Sequence, residues 1–310
     1  MIHNGMLKKK MKALMYSPLV PDSNKTKLIE TFSAQMIISN YKELGLHVDR
    51  FFDGESIYLF ECLKTGYRFY YPFKAIGDAE FYKDLSLSRD NYYSERWEHR
   101  EALNILDRGD TVLEIGSGFG VFLKMLKPKN IIGSGLELNP HAVQKCVEEG
   151  LDVKQKLIQD FVLDTKGQFD NVCYFQVLEH ITDVYGFIEA SIKALKVGGK
   201  LIIGVPNNNP YLFRYDKYHT LNLPPHHAGL WNRKSLTSLE NVFPLKLESM
   251  LFEPLNLTYD YFLKVQLKDL NNNIETLCIK ALNKLFPKFL KRLLCKLYKG
   301  RNVLVIFTKT

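Results

Sequence analysis

The chain has 310 residues, of which 46% are hydrophobic and 25% are charged, as in a soluble globular protein with a sizeable core. No apolar run reaches the roughly 18 residues of a transmembrane helix, and Ala13–Tyr16 is too short for a signal peptide. Five scattered cysteines without a C-x-x-C pair predict reduced, mainly buried thiols, no metal site and a cytoplasmic protein.

The formal net charge of +8 is concentrated near the C-terminus. Residues 261–310 contain eleven Lys or Arg but only two acids, Asp269 and Glu275. A charge this local indicates an anionic partner or a membrane surface, and the alternative is a solvated helix face.

Residues 1–85 are predicted to form an N-terminal extension. Turn-forming residues make 1–25 a loosely ordered lead-in, and apolar residues at helical spacing predict a helix over 26–44. Two short strands, 56–61 and 67–71, are expected to form a hairpin.

This hairpin resembles a small zinc-ribbon-derived module in which Thr65 stands where a second cysteine would follow Cys62. The resemblance implies that the metal has been lost and that aromatic side chains supply the packing. A structural role is favoured over contact with a substrate.

The most informative stretch runs from Val112 to Gly120. Val112, Leu113 and Ile115 predict a buried strand, three glycines at alternate positions predict a turn, and a helix follows. Such a turn lets a ligand approach the backbone and the N–H groups of the helix start. The spacing G-x-G-x-G differs from the dinucleotide fingerprint, and Glu114 suits a ligand with a positive group rather than a pyrophosphate.

These residues resemble the first motif of class I S-adenosylmethionine-dependent methyltransferases, acidic-x-Gly-x-Gly-x-Gly. The resemblance implies an enzyme with S-adenosylmethionine as cofactor, bound at this turn; the alternative is a glycine turn without a ligand.

The segment before the strand, a predicted helix over 91–106, often covers the cofactor in this family. Aromatic residues at helical spacing are more often core. The implied cofactor residues here are Glu114, Gly116, Ser117, Gly118 and Gly120, with Tyr93 and Trp97 as candidates from the covering segment.

Strands and helices alternate after the turn, which predicts an α/β fold with a doubly wound, mostly parallel sheet. The resemblance implies seven strands in a Rossmann-like methyltransferase domain over 86–310, ending in an antiparallel strand at 302–308. Other strands are expected at residues 131–138, 151–157, 200–205 and 245–253, with a fourth strand and its exit at 169–181.

Three further cofactor residues are expected at the ends of these strands. Glu137 ends the second strand, where a carboxylate can accept hydrogen bonds from both ribose hydroxyls. The family places adenine in the loop that here contains Asp160 and Phe161. The alternatives are an ordinary carboxylate at a helix start for Glu137 and an exposed loop acid for Asp160.

The fourth strand leads into Gln176, Glu179 and His180, at the edge where ligands of such sheets gather. A later loop, Pro224-Pro225-His226-His227, resembles a segment of bacterial methyltransferases linked to sugar or lipid modification. We expect Gln176 near the cofactor and His180, His226 or His227 as general base, with Glu179 orienting it or binding a substrate hydroxyl. Loop-packing histidines are the alternative.

The sequence thus predicts O-methylation of a sugar, glycolipid precursor or other small metabolite. One alternative is a metal-assisted ribose or RNA methyltransferase, which holds its metal with the pattern acidic-x-x-Glu-His and a later histidine. Gln176 stands here in place of the first acid of that cluster, and nucleic acid is disfavoured. Another is a catalytically silent, methyltransferase-like binding subunit. The oligomeric state is left open.

Residues 259–301 form a predicted basic helical insertion before the last strand. Its apolar residues recur at helical spacing with lysines between them, and Pro287 interrupts the pattern. A cap over the acceptor site is the first expectation, ahead of peripheral membrane contact through 270–300 or a dimer interface.

Overall fold

The computed structural model describes residues 15–23, 25–54, 56–88, 94–208, 219–268 and 274–310. The strands are β1 (Thr26–Ser33), β2 (Ser56–Cys62), β3 (Arg68–Tyr71), β4 (Thr111–Ile115), β5 (Ile132–Leu136), β6 (Asp152–Lys154), β7 (Phe169–Phe175), β8 (Leu195–Pro206), β9 (Gly229–Leu230), β10 (Leu245–Pro254) and β11 (Lys299–Lys309). The α-helices are α1 (Ala34–Lys42), α2 (Ala79–Leu87), α3 (Trp97–Leu103), α4 (Val121–Leu126), α5 (Pro140–Glu148), α6 (Ile158–Phe161), α7 (Val184–Ala194), α8 (Arg233–Thr237), α9 (Tyr259–Lys268), α10 (Ile274–Leu285) and α11 (Pro287–Leu297).

The larger sheet has seven strands in the order β10-β11-β8-β7-β4-β5-β6. Strands β4 to β8 pair in parallel, while β11 is antiparallel to both β8 and β10. This topology confirms the predicted Rossmann-like methyltransferase fold. The strand order reverses at β4, which has β5 on one side and β7 on the other, so a ligand crevice is expected at their carboxyl ends.

Both faces of this sheet are covered, because successive residues of one strand point to opposite sides. Val112 packs in one hydrophobic cluster while its neighbour Leu113 packs in the other. The same alternation separates Ile202 from Ile203. The two clusters hold the carboxyl ends of β4, β5 and β7 in fixed register.

The smaller sheet has the order β1-β2-β3-β9 and is antiparallel throughout. The predicted hairpin is confirmed as β2 and β3. The helix predicted over 26–44 is wrong in its first half, because residues 26–33 form β1 and pair with β2. Pairing across the sheet decides the structure of this segment, and its local apolar spacing does not.

The lead-in is better ordered than predicted where the structure describes it. Leu19 is fully buried, and the backbone carbonyl of Pro18 accepts a hydrogen bond of 3.0 Å from Tyr185 N at the start of α7. Residues 15–23 therefore pack on the larger domain, and residues 1–14 lie outside the described part of the chain.

The predicted basic insertion consists of α9, α10 and α11. Leu290 and Leu294 of α11 are buried in a small apolar cluster with Phe262 of α9 and Leu255. Within the described residues, no helix combines the length and the apolar character needed to span a bilayer.

Trp231 connects the two sheets. Its side chain is fully buried, its ring centroid lies 4.3 Å from that of Tyr67, and both belong to the cluster that contains Leu113 of β4. Trp231→Ala should lower the free energy of unfolding by about 3–5 kcal/mol because it leaves a large cavity. Urea unfolding followed by circular dichroism measures this.

The matched control is Leu63→Ala, since the Leu63 side chain is 53% exposed. We expect this variant to change the free energy of unfolding by less than about 0.5 kcal/mol. Equal, small losses in both variants would contradict the bridging role of Trp231.

Candidate active site

The glycine turn lies between β4 and α4, at the point where the strand order reverses. Gly116, Gly118 and Gly120 all have positive φ, at 74°, 52° and 67°. The amide groups of Gly116 and Ser117 both donate to Leu136 O, at 2.7 and 3.1 Å, so the turn is fixed to the end of β5. Only glycine adopts these three conformations without strain.

Gly116 is also required by its surroundings. A Cβ atom there would lie 2.5 Å from Cγ2 of Val177, the second residue after β7. The turn and the exit of β7 are therefore in close contact, and any side chain at position 116 would push them apart.

Glu114 lies beneath the turn on β4 and is buried. Its Oε2 atom has no hydrogen-bond partner among the described residues. Burial, with a smaller contribution from the Glu137 charge, raises the pKa of Glu114 well above its usual range. A positively charged ligand group would satisfy this oxygen and favour the ionised carboxylate, so the site fits the amino-acid end of S-adenosylmethionine.

Glu137, half-buried, closes the other side of the turn. Its Oε2 atom accepts from Gly118 N at 2.8 Å, and its Oε1 atom accepts from the amides of Leu138 and Asn139, both at 2.8 Å. The carboxylate therefore holds the turn and the end of β5 in one arrangement. Since two carboxylate oxygens offer about four lone-pair positions, it keeps acceptor capacity for a hydroxyl.

The remaining candidate cofactor residues occupy different environments. Asp160 is exposed on α6, and Phe161 is buried against Phe169 with a centroid distance of 6.1 Å. Trp97 begins α3 and is buried in the core cluster that contains Phe122. Tyr93 lies outside the described residues. The structure thus gives Trp97 and Phe161 core positions, and their predicted cofactor contacts stay predictions.

Gln176 follows β7 with φ of +57°, which is uncommon for a residue with a side chain. Its Nε2 atom donates to Oε1 of Glu98 at 2.7 Å. Glu98 is fully buried, and the missing side chain of Gly204 gives it room. Burial raises the pKa of Glu98. Sequence spacing could not identify Glu98, because nothing in the helix pattern marks this acid as inward-facing.

The three histidines predicted as candidate bases lie together. One ring nitrogen from each of His180, His226 and His227 lies within 4.8 Å of the others. The rings of His226 and His227 stack at a centroid distance of 4.5 Å, and the His180 ring lies 4.8 and 5.1 Å from them. Residues 46 positions apart in sequence thus form one cluster, named here the histidine cluster.

Backbone carbonyls orient two of these rings. His180 Nδ1 donates to His226 O at 2.6 Å, and His226 Nδ1 donates to Leu221 O at 2.9 Å. Since a carbonyl oxygen can only accept, both Nδ1 atoms carry a proton. The third ring, His227, has an Nδ1 atom that is buried and without a hydrogen-bond partner in the described structure.

Glu179 adjoins the histidine cluster. Its Oε1 atom lies 3.9 Å from His180 Nε2, and its Oε2 atom is buried with no partner in the residues described. Burial raises the pKa of Glu179 to about 8. Burial also lowers the pKa of His180 to about 4 and that of His227 well below its usual value, where neighbouring histidines add to the effect. Both imidazoles are therefore neutral near pH 7.

The N-terminal extension holds the loop that carries His226 and His227. Tyr41 Oη donates to Leu223 O at 2.9 Å, and Gly77 N donates to Pro225 O at 2.8 Å. Tyr82 Oη lies 3.2 Å from both His226 O and His180 Nδ1. These contacts join residues more than 90 positions apart, and sequence spacing could not identify them.

The fold and the glycine turn define a class I methyltransferase domain. Residues 89–243, half of the chain, match the family described as methyltransferase domain, and the chain belongs to this family. The family confirms the predicted enzyme class, an S-adenosylmethionine-dependent methyltransferase, and with it the predicted cofactor.

Curated relatives agree with this class, and a solved structure agrees with the fold. A ubiquinone biosynthesis O-methyltransferase from Xanthomonas oryzae pv. oryzae is 26% identical over 167 residues, covering 47% of this chain and 68% of the relative. One from Pseudomonas paraeruginosa is 27% identical over 158 residues, covering 44% and 68%. The crystal structure of a SAM dependent methyltransferase from Archaeoglobus fulgidus has a TM-score of 0.51 at 18% identity, covering 75% of this chain and all of that one, which supports the fold.

Proposed function

We propose that this protein transfers the methyl group of S-adenosylmethionine to a hydroxyl of a sugar, glycolipid precursor or related small metabolite. The observation that carries this proposal is the buried, unpartnered Oε2 atom of Glu114 beneath a turn of three positive-φ glycines. A buried acceptor without a partner costs about 1–3 kcal/mol, and a cationic ligand group would remove that cost.

We assign the cofactor to the crevice between β4 and β7. Glu114 and the backbone of Gly116, Ser117 and Gly118 would hold the amino-acid end of the cofactor. Gly120, the residue before α4, would let the cofactor approach the start of that helix. Glu137 would accept one ribose hydroxyl at its remaining acceptor position, and Asp160 with Phe161 would border the adenine. Trp97, Tyr93 and Gln176 are the remaining candidates, and Gln176 fits best, since it follows β7 with a strained backbone.

The sulfonium group supplies an already activated methyl, so the protein has to align an acceptor oxygen and receive its proton. His180 of the histidine cluster follows β7, and Val177 in the same exit touches the glycine turn. We propose that the cluster activates the acceptor hydroxyl, with a neutral imidazole nitrogen or Glu179 taking the proton.

Two observations support a hydroxyl-rich acceptor. Glu98 and Glu179 are buried near the exit of β7, and each keeps one oxygen without a partner in the described structure. Carboxylate oxygens accept hydrogen bonds from hydroxyls, as a sugar requires. The relatives from Xanthomonas and Pseudomonas carry O-methyltransferase in their names, which favours oxygen as the methylated atom.

The exposed surface of α10 and α11 supports a lipid-linked acceptor at a membrane. Phe289, Leu293 and Leu297 recur every four residues, and their side chains are 58%, 38% and 65% exposed. Beside this apolar stripe runs an exposed basic one, and residues 276–298 contain no acid. The basic stripe consists of Lys284, Lys288, Arg292 and Lys296.

This pattern matches a helix lying in the headgroup region of an anionic bilayer. The apolar stripe would enter the acyl boundary, while each nearby Lys or Arg contributes about 1 kcal/mol of attraction to anionic lipid. Leu290 and Leu294 are already used to attach α11 to the protein, so the exposed stripe is a separate surface. We propose peripheral membrane contact through this surface, and the cap over the acceptor site stays a prediction.

The cofactor assignment is tested by Gly116→Ala. The new Cβ would meet Val177, so the affinity for S-adenosylmethionine should fall at least about tenfold, or 1.4 kcal/mol, by calorimetric titration. The control is Gly150→Ala, which has nearly the same φ, 71° against 74°, but nothing within 4 Å of its Cβ. Equal affinities in the two variants would refute the assignment.

The acceptor class is tested by incubating the protein and S-adenosylmethionine with nucleotide-sugars and lipid-linked sugars while measuring S-adenosylhomocysteine. We expect release with at least one acceptor, reduced about 10²–10⁴-fold by His227→Gln, with cofactor affinity unchanged. His47→Gln, on an exposed histidine, is the matched control. Tight cofactor binding without release on any acceptor would instead favour a catalytically silent subunit.

Membrane contact is tested by sedimentation with phosphatidylcholine vesicles, with and without phosphatidylglycerol. The triple variant F289S/L293S/L297S should bind the anionic vesicles about tenfold more weakly, and high salt should weaken wild-type binding. The control variant L138S/V147S/L163S changes exposed apolar residues elsewhere. Equal losses in both variants, or no vesicle binding by the wild type, would contradict the proposal.

A further inference from the structure

Three imidazoles converge on one point in the histidine cluster. The ring nitrogens lie within 4.8 Å of one another, while three nitrogens bound to one metal ion at 2.0–2.1 Å lie about 3.4 Å apart. Closing the remaining gap of at most about 1.4 Å requires only small ring rotations. Elsewhere in the described chain, no other group of three such side chains comes this close.

The hydrogen bonds around the cluster are those of metal-binding histidines. A metal-ligating imidazole usually donates its other N–H to a carbonyl or carboxylate, which fixes the tautomer and the ring. His180 and His226 both do so, through His226 O and Leu221 O. The unpartnered Nδ1 atom of His227 provides the third nitrogen.

A fourth donor is adjacent. Glu179 Oε1 lies 3.9 Å from His180 Nε2, and Glu179 Oε2 has no partner among the described residues. The side chain of Glu179 is 1% exposed. Buried carboxylates are normally paired or coordinate metals.

We propose that His180, His226, His227 and Glu179 bind one divalent transition-metal ion of the zinc type. The set of three imidazoles and one carboxylate selects the metal class, because imidazole suits Zn²⁺, Co²⁺ and similar ions, whereas Mg²⁺ prefers oxygen ligands. Gln176 is left out of the set, because a neutral amide oxygen is a weaker ligand for such an ion than imidazole or carboxylate. The site therefore differs from the acidic cluster considered from the sequence.

This inference deepens the proposed function and rests on it where catalysis is concerned. A divalent ion polarises a hydroxyl bound as a further ligand, which lowers the pKa of that hydroxyl. The side chain of His180 is 17% exposed, so one side of the cluster is open to an acceptor. The ion would then lower the pKa of a bound sugar hydroxyl, and its proton would pass to water at the exposed side of His180, because the ligand nitrogens could not accept it.

The experiment uses the full, untagged chain, stripped with chelator and titrated with Co²⁺. We expect one equivalent to bind per chain, with the visible absorption of four-coordinate cobalt, and Zn²⁺ to displace it while Mg²⁺ does not. His180→Gln and His227→Gln should each weaken binding by about 100-fold or more, because each removes a ligand outright. His47→Gln should leave binding unchanged, and circular dichroism verifies folding of every variant.

The outcomes separate this inference from the proposed function. If Co²⁺ fails to bind, or if both ligand variants bind like the wild type, the metal site is refuted. Methyl transfer that persists unchanged in chelator would leave the methyltransferase proposal intact and would remove the metal from it. Conversely, Co²⁺ binding in a protein that binds no S-adenosylmethionine would keep the metal site and refute the methyltransferase proposal.

Discussion

The candidate acceptor site depends on the two hydrogen bonds made by the backbone of Ala228. Its N–H donates to Glu179 O at 2.8 Å, at the exit of β7, and its carbonyl accepts from Tyr70 N at 2.9 Å, in the smaller sheet. Ala228 directly follows His227, so these bonds place the paired histidines between the two sheets. Gly229 then pairs with Phe69, where Tyr67 leaves no space for a Cβ atom. Without this pairing, nothing local would bring His226 and His227 to His180.

The two halves of the site are therefore built in different ways. The cofactor half is local, since the glycine turn, Glu114 and Glu137 belong to two adjacent parallel strands and the segments that leave them. The acceptor half is assembled from the exit of β7, a loop after β8 and the N-terminal extension, which supplies Tyr41, Gly77 and Tyr82. We infer that the extension acts as a structural support for the histidines, and its division from the methyltransferase domain at residues 85 and 86 stays a prediction.

This difference explains what the sequence could predict. The glycine turn and β4 carry their own signals, in φ requirements and in a run of apolar residues, and both were predicted correctly. β1 was predicted as a helix because its partner β2, 30 residues away, supplies the hydrogen bonds that decide its structure. Glu98 and Tyr82 were missed because their importance comes only from distant neighbours. The resemblance of the hairpin to a zinc-ribbon module and the roles of individual site residues remain predictions.

Three carboxylates, Glu98, Glu114 and Glu179, are buried with one oxygen unpartnered in the described structure. Each buried oxygen without a partner costs about 1–3 kcal/mol. Three of them are a large share of the roughly 5–15 kcal/mol by which a folded domain is typically stable. All three lie on the carboxyl side of β4 and β7 or face it, where ligands of this fold gather. A cation at Glu114, a metal at Glu179 and a hydroxyl at Glu98 would each cancel one of these costs. Ligand binding and folding stability are then linked, because ligands that bind the folded chain and remove these costs raise its free energy of unfolding.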